Sequence, residues 1–227
     1  MINMLFSQYN FHESWAKDYV RRYINPADKV LIIPFSFSDS VNNSKDWDHA
    51  YNQEFGKFYQ NICTPFLSYS IQETNISWLN YFLDSHETAK EMIKNSDIIF
   101  LTGGLPDKSM DRLREFGLLN EITNYTGVII GSSAGAMIQL AEYHITPDKD
   151  YASFSYNKGL NLLSDFDIEI HYEGSDIQNR SISKVLEEKA DSVFAIGDSG
   201  GMIAADQEMI LFGDTQKFSS HKLKMRN

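Results

Sequence analysis

The 227-residue chain has a single cysteine, Cys63. One thiol cannot close an intramolecular disulfide, and it supplies no cysteine pair for a structural zinc site, so a reducing compartment fits. Positive charge is also scarce: 20 Lys and Arg stand against 31 Asp and Glu, a formal net charge of −11. No local Lys/Arg cluster makes up the deficit. Phosphate binding needs a basic face, so nucleic acid is not an expected partner. Apolar runs stay well short of the roughly 20 residues that cross a bilayer, and no membrane association is expected. The opening "MINMLFSQYNFHESW" lacks a basic lead and a small-residue cleavage site. It reads as a first strand rather than a signal peptide, and the expected setting is cytoplasmic. No histidine pair sits at metal-ligand spacing and no G-x-G-x-x-G follows a strand, so neither a metal nor an organic cofactor is expected. Repeats and low-complexity linkers are missing as well. The length and the ordinary apolar content suit one folded domain over 1–227.

What is present is an alternation of short apolar runs with longer helical patterns. Candidate strands are Asn3–Ser7, Val30–Phe35, Phe66–Ile71, Asp97–Leu101, Gly127–Ile130, Asp167–Tyr172, Ser192–Ile196, Gly201–Ala205 and Met209–Phe212. Between them "HESWAKDYVRRYI", "DWDHAYNQEFGKFYQNI", "ETAKEMIKN", "KSMDRLREFGLL" and "SISKVLEEKA" repeat apolar residues at helical spacing. Strands separated by helices imply right-handed crossovers and a mostly parallel sheet covered on both faces, a three-layer α/β fold. The late run "GMIAADQEMILFG" reads instead as an antiparallel hairpin. The stretches "SFSDSVNNSKDW" and "TPDKDYASFSYNKG" read as surface loops.

Ligands of open α/β sheets bind beyond the carboxyl ends of the strands. Four strand ends carry chemistry: Gly103-Gly104 after "FLT", Ser133 after "VIIGS", His171 after "FDIEI" and Asp198 after "VFAIG". Gly131-Ser132-Ser133-Ala134-Gly135 fits the G-x-S-x-G nucleophile elbow, in which small neighbours let a tight corner present a hydroxyl at the sheet edge. Ser133 is the central serine and the expected nucleophile. The Ala134 amide, at the positive end of the following helix, can stabilise an oxyanion. A plain strand-to-helix turn or a phosphate-binding turn would use the same glycines.

A serine hydroxyl attacks poorly unless a base removes its proton. His12 and His49 fall on early helices, His86 between helical stretches and His221 in the tail, all surface positions. His144 is near in sequence, but an intervening helix at about 1.5 Å per residue would carry it on the order of 15 Å away. His171 ends a strand and is the expected base. The base needs a carboxylate to fix its tautomer, and Asp198 ends the neighbouring predicted strand. Asp148, in the loose loop, and Glu173, beside His171 but pointing the other way in extended chain, compete with it. Asp198 also reads as a turn-forming Asp before Ser-Gly-Gly. The Gly103-Gly104 turn can supply a second oxyanion donor. The resulting order, Ser…His…Asp, differs from the Ser…Asp/Glu…His of ordinary α/β-hydrolases.

Taken together, "SDIIFLTGGLPDKSMDRLREFGLL", "IGSSAGAM", "KGLNLLSDFDIEIHY" and "AIGDSGGM" resemble the serine peptidase family of aspartyl dipeptidase (peptidase E) and cyanophycinase. The resemblance covers most of the chain. It implies a flavodoxin-like or class I glutamine-amidotransferase-like fold. It also implies a triad of Ser133, His171 and Asp198, with oxyanion amides from Gly104 and Ala134. An acid shortly after the elbow, as some descriptions of the family have it, would be Asp148.

Three departures matter. The dipeptidases carry Glu where Asp198 stands. Their Gly-Gly-Asn turn reads Gly103-Gly104-Leu105, which puts Leu105 on the substrate side. The arginine that reads the substrate's aspartate aligns with Ile177, with Arg180 near enough to replace it. A carboxylate-reading site without its cation loses discrimination, so strict Asp-X specificity is not expected. The expected activity is hydrolysis of short peptides through an acyl-enzyme. The alternatives are an amidase or esterase using the same serine on a non-peptide substrate, and a catalytically silent homologue that binds a small ligand.

Overall fold

Strands buried on both faces read as unbroken apolar runs, and the centre of this sheet is built that way. In the computed structural model, which describes residues 1–205 and 208–220, VLII of β2 (Val30–Ile33), IIFL of β4 (Ile98–Leu101) and VIIGS of β5 (Val128–Ser132) are buried throughout. The other strands are β1 (Ile2–Phe6), β3 (Ile76–Trp78), β6 (Glu142–Ile145), β7 (Ser155–Lys158), β8 (Asp167–Ile170), β9 (Ser192–Ala205) and β10 (Glu208–Ser219). The helices are α1 (Ser14–Val20), α2 (Ser44–Tyr51), α3 (Tyr59–Ser68), α4 (His86–Lys94), α5 (Pro106–Glu115), α6 (Leu119–Thr123), α7 (Ala134–Met137) and α8 (Asp176–Glu188).

The main sheet runs β10-β9-β1-β5-β4-β2-β3, with β8 also paired to β9. β1, β5, β4, β2 and β3 are mutually parallel, and β9 returns antiparallel to β1 before the β9–β10 hairpin. This is a mostly parallel α/β sheet with a C-terminal antiparallel hairpin. Alternate residues divide between two cores. Met4 and Phe6 pack with Phe11, Ile62, Phe66 and Phe100 on one face, while Leu5 packs with Leu113, Ile122 and Ala136 on the other.

Several elements differ from the sequence expectation. Phe66–Ile71 is not a strand: α3 runs through Ser68, because Tyr59, Ile62, Cys63 and Phe66 bury one helical stripe. The strand of that unit is the short β3, ten residues further on. The single helical pattern at 46–62 breaks into α2 and α3, with Asn52 capping the first. β6 and β7 pair with each other in and beside the segment read as loop. The two predicted strands at 192–196 and 201–205 are one long strand, β9. Asp206 and Gln207, within the run read as a hairpin, and the tail with His221 lie outside the described residues.

Phe100 is fully buried, and its ring lies 5.2 Å from that of Phe66 and 5.7 Å from that of Tyr9. Truncation in such a site removes transfer energy and leaves a void. Phe100→Ala should therefore cost about 3–5 kcal/mol in urea unfolding. A loss below about 1 kcal/mol would show that the aromatic cluster does not carry this face.

Candidate active site

β5 delivers the chain into a corner that only small residues can turn. A Cβ on Gly131 would overlap the Gly135 carbonyl, and one on Gly135 would overlap the Leu101 carbonyl. Between them Ser133 adopts φ +50° and ψ −116°, a conformation that costs a residue with a Cβ about 1–3 kcal/mol. The surroundings hold it there. The Ser133 N–H donates to the Phe6 carbonyl at 2.8 Å, and its carbonyl accepts from Ala136 and Met137. Beneath the corner, buried Gln139 donates to the carbonyls of Met4 and Gly135 and accepts from the Asn3 side chain. Sequence reasoning missed Gln139, whose only signal is a polar residue closing an apolar run. The two serines divide clearly: Ser132 is 1% exposed and gives its hydroxyl to the Gln8 carbonyl at 2.6 Å, so only Ser133 presents a hydroxyl to the site.

His171 follows β8 with φ +54°. Its N–H donates to Ser7 Oγ at 3.0 Å, and its carbonyl accepts from Gln178 Nε2 at 2.9 Å. So fixed, the imidazole lies between two groups. Nε2 is 3.0 Å from Ser133 Oγ, and Nδ1 is 2.8 Å from Asp198 Oδ1. Asp198 reaches this position on a bulge, not at a strand end. Ile196 pairs with Thr215 and Gly200 with Gly213, so Gly197, Asp198 and Ser199 together oppose Asp214 alone. Extra residues on one strand bend it and re-aim a side chain.

The Gly103-Gly104 turn packs against the elbow. The Gly103 N–H donates to the Tyr9 hydroxyl at 2.7 Å, and the Leu105 N–H donates to the Ser36 carbonyl at 2.8 Å. Between them the Gly104 N–H has no acceptor among the described residues. Gly104 has φ +140°, and a Cβ there would overlap the Ser36 carbonyl, so the position requires glycine. Burial pushes the Tyr9 phenol up to about 12, against the opposing effect of the Gly103 N–H, so it accepts that bond as a neutral hydroxyl. Ala134 is the first residue of α7, where an amide has no intrahelical acceptor. α7 is only four residues long, so the long helix expected after the elbow is absent and little macrodipole stands behind that amide.

A cavity of about 250 Å³ opens beside these groups, lined among others by Ser133, His171, Gly104, Asp148, Glu173 and Ile177. Asp148 borders it, but its Oδ1 accepts the N–H groups of Asp150 and Tyr151, and Asp198 is the carboxylate on His171. Ile177 faces the cavity from the first turn of α8, whereas Arg180 is exposed one turn on and borders a different depression. Leu105 lines a second cavity of about 720 Å³, which Gly104 also borders.

His144 is the main correction. The helix expected between it and Ser133 stops after one turn, and His144 sits on β6, 1% exposed, on the wall of the cavity that Ser133 lines. It does not serve Ser133. Nε2 is 2.7 Å from Glu169 Oε2, and Nδ1 is 3.1 Å from Asp167 Oδ1, within ion-pair range but out of hydrogen-bond alignment. Burial alone would lower its pKa, but Asp167 and Glu169 together outweigh burial and push it up to about 9. His49 is exposed, while His12 and His86 are half-buried. Among the described residues no cluster of three metal-ligating side chains occurs, and no helix is long and apolar enough to cross a membrane.

This fold, with a serine corner and a histidine at its sheet edge, is that of a serine-type peptidase. The model of peptidase family S51 matches residues 56–212, more than half of the chain, and the chain belongs to that family. Two solved structures share the fold. A protein assigned as a peptidase E from Listeria monocytogenes EGD-e is 20% identical, with 96% of this chain and 98% of that one covered at a TM-score of 0.64. A peptidase from an acI-B1 actinobacterium is 14% identical, with 97% and 95% covered at a TM-score of 0.65. No curated protein sequence matches the chain.

The raised His144 pKa sets a direction for stability against pH. A protonated, paired His144 stabilises the fold fully below its unfolded value near pH 6.5, and that contribution is lost as pH rises through about 9. The melting temperature of the wild type should fall more steeply between pH 6.5 and 9.5 than that of His144→Gln. Parallel curves would remove the charge from this histidine.

Proposed function

We propose that the protein, acting as one domain, hydrolyses short peptides through an acyl-enzyme formed on Ser133. The observation that carries this reading is the run of contacts from Ser133 Oγ through both nitrogens of His171 to Asp198, at 3.0 and 2.8 Å. Ser133 Oγ bonds to the scissile carbonyl carbon while its proton passes to His171 Nε2. The carbonyl oxygen becomes an oxyanion, held by the N–H groups of Gly104 and Ala134. The C–N bond then breaks, and His171 returns the proton to the departing amine. Water attacks the acyl carbon and gives a proton to Nε2. When the acyl–oxygen bond breaks, that proton goes back to Ser133. Asp198 holds the imidazole by Nδ1 and stabilises the imidazolium.

Strict selectivity for aspartate is not part of this reading. Ile177 stands where the family's arginine aligns, Arg180 points elsewhere, and no Lys or Arg lines the cavity. A cytoplasmic setting fits a lone thiol, Cys63, that is buried, with a pKa pushed up by that burial to about 12.

Ser133→Ala should abolish both peptide turnover and fluorophosphonate labelling while the protein stays folded. Asp198→Asn should lower kcat by about 10⁴, as loss of the carboxylate does in other triads. Labelling that persists in Ser133→Ala would end the nucleophile assignment. An undiminished rate in Asp198→Asn, with loss in Asp148→Asn, would move the acid to the loop.

A further inference from the structure

The cavity beside Ser133 is lined by both apolar and acidic side chains. Met137, Ile145, Ile170 and Ile177 form much of its wall, and its carboxylates are Asp148, Glu169 and Glu173. Asp148 keeps one oxygen outside its turn. Glu173 is exposed and its carboxylate has no hydrogen bond among the described residues. Glu169 is different in kind, being only 3% exposed. Its Oε2 takes both available donors, His144 Nε2 and Thr146 Oγ1, each at 2.7 Å. Its Oε1 takes none among the described residues. His144 is the cation on Oε2, while Lys189 reaches Asp167 at 3.4 Å and Glu142 at 3.0 Å. Oε1 is not sealed off by protein, so it remains an acceptor for a donor bound in the cavity.

This pocket adjoins the proposed nucleophile, which decides what can occupy it. In an acyl-enzyme the acyl residue stays bonded to Ser133 through half of the cycle, so its side chain belongs in a cavity that Ser133 lines. At about 250 Å³ the cavity falls below the roughly 300–1,000 Å³ of sites for drug-sized ligands, and suits one side chain. Its apolar wall matches methylenes, and its carboxylates match three N–H donors at the end of them, the division of a lysine side chain. A net charge of −11 also draws cations toward the site. An aspartate side chain would add a fourth carboxylate to three, of which only Glu169 is matched by a cation, His144.

Resting on the assignment of Ser133 as nucleophile, we infer that this cavity selects an aliphatic cation, of the lysine or ornithine type, on the acyl side of the scissile bond. The methylenes lie along Met137, Ile170 and Ile177, and the ammonium sits against Glu169 Oε1 with Asp148 and Glu173 beside its path. Glu169 and Glu173 are then specificity residues, and His144 and Thr146 position the Glu169 carboxylate.

The test compares Lys-Ala, norleucyl-Ala and Asp-Ala, whose first residues differ in charge. Lys-Ala should give a kcat/KM at least tenfold above norleucyl-Ala and further above Asp-Ala. Glu169→Gln, and separately the exposed Glu173→Gln, should each reduce the Lys/norleucine ratio several-fold. A norleucyl or aspartyl substrate cleaved as well as the lysyl one, or a ratio unchanged in both variants, would overturn the inference. If no dipeptide is cleaved, the peptidase reading fails and the pocket is judged by calorimetry on Ser133→Ala. There, tighter binding of Lys-Ala than of norleucyl-Ala supports the cation pocket, and equal binding refutes it.

Discussion

Everything at the sheet edge hangs on the five residues that leave β1. The Phe6 carbonyl accepts the N–H of Ser133, and the Gln8 carbonyl accepts the hydroxyl of Ser132. Ser7 Oγ accepts the N–H of His171 while donating to the Ile196 carbonyl on β9 at 2.7 Å. The Tyr9 hydroxyl accepts the N–H of Gly103, and Asn10 Nδ2 donates to the Asp198 carbonyl at 3.0 Å. One short segment thus holds the elbow, the histidine, the carboxylate strand and the glycine turn. The topology makes this possible, because β1 lies between β5, which leads into Ser133, and β9, which carries Asp198. A chain in which β1 sat at an edge of the sheet could not reach all four.

That hub bears a load. Ser133 and His171 both occupy positive φ, uncommon for residues with a Cβ, and each such residue persists only where its neighbours over-determine it. The two strained residues face each other through the 3.0 Å contact, and the backbone N–H of each is held by the β1 exit. Strain at one is therefore opposed by the same strand that opposes it at the other. The Asp198 bulge supplies the third side. Gly200 closes it, because a Cβ there would run into the Asp214 carbonyl.

The parts of this site that were legible in the sequence are those where a backbone requirement restricts residue type. The elbow admits only small residues around Ser133, and Gly104 admits only glycine, so both stand out in a single chain. His171 was found because it follows an apolar run, although its αL backbone was not foreseen. Asp198 was reached by a rule about strand ends that does not describe it: the strand continues, and the bulge that exposes the side chain depends on pairing with β10. The setting of His144 is not legible because a helix-forming stretch after the elbow says nothing about where the helix stops, and α7 stops after one turn. The Phe66–Ile71 segment misled for the opposite reason. Its aromatic and β-branched content suits a strand, but the stripe that buries it has helical period. Tertiary pairing, not local preference, decided each of these cases.

Electrostatics raises a last question, since the proposed reaction forms an oxyanion in a protein of net charge −11. The helix behind the elbow is too short to oppose that field, so the stabilisation has to be local. Magnitudes favour the local term. Exposed charges separated by more than about 8 Å are largely screened at physiological ionic strength. Loss of a single oxyanion donor costs about 2.7–4 kcal/mol in a characterised serine protease. Two fixed N–H groups in contact therefore outweigh many distant carboxylates. Fixed is the important word, because donors that had to turn toward the charge would give back part of the gain. Both candidates are built into rigid backbone, Gly104 between two hydrogen-bonded neighbours and Ala134 at the foot of a corner pinned by Phe6 and Gln139. The nearby carboxylates are the larger danger. The most deeply buried of them, Asp167 and Glu169, are the ones given His144, Thr146 and Lys189. The cations among these, His144 and Lys189, offset the charge of the pair, of which Glu169 lines the cavity.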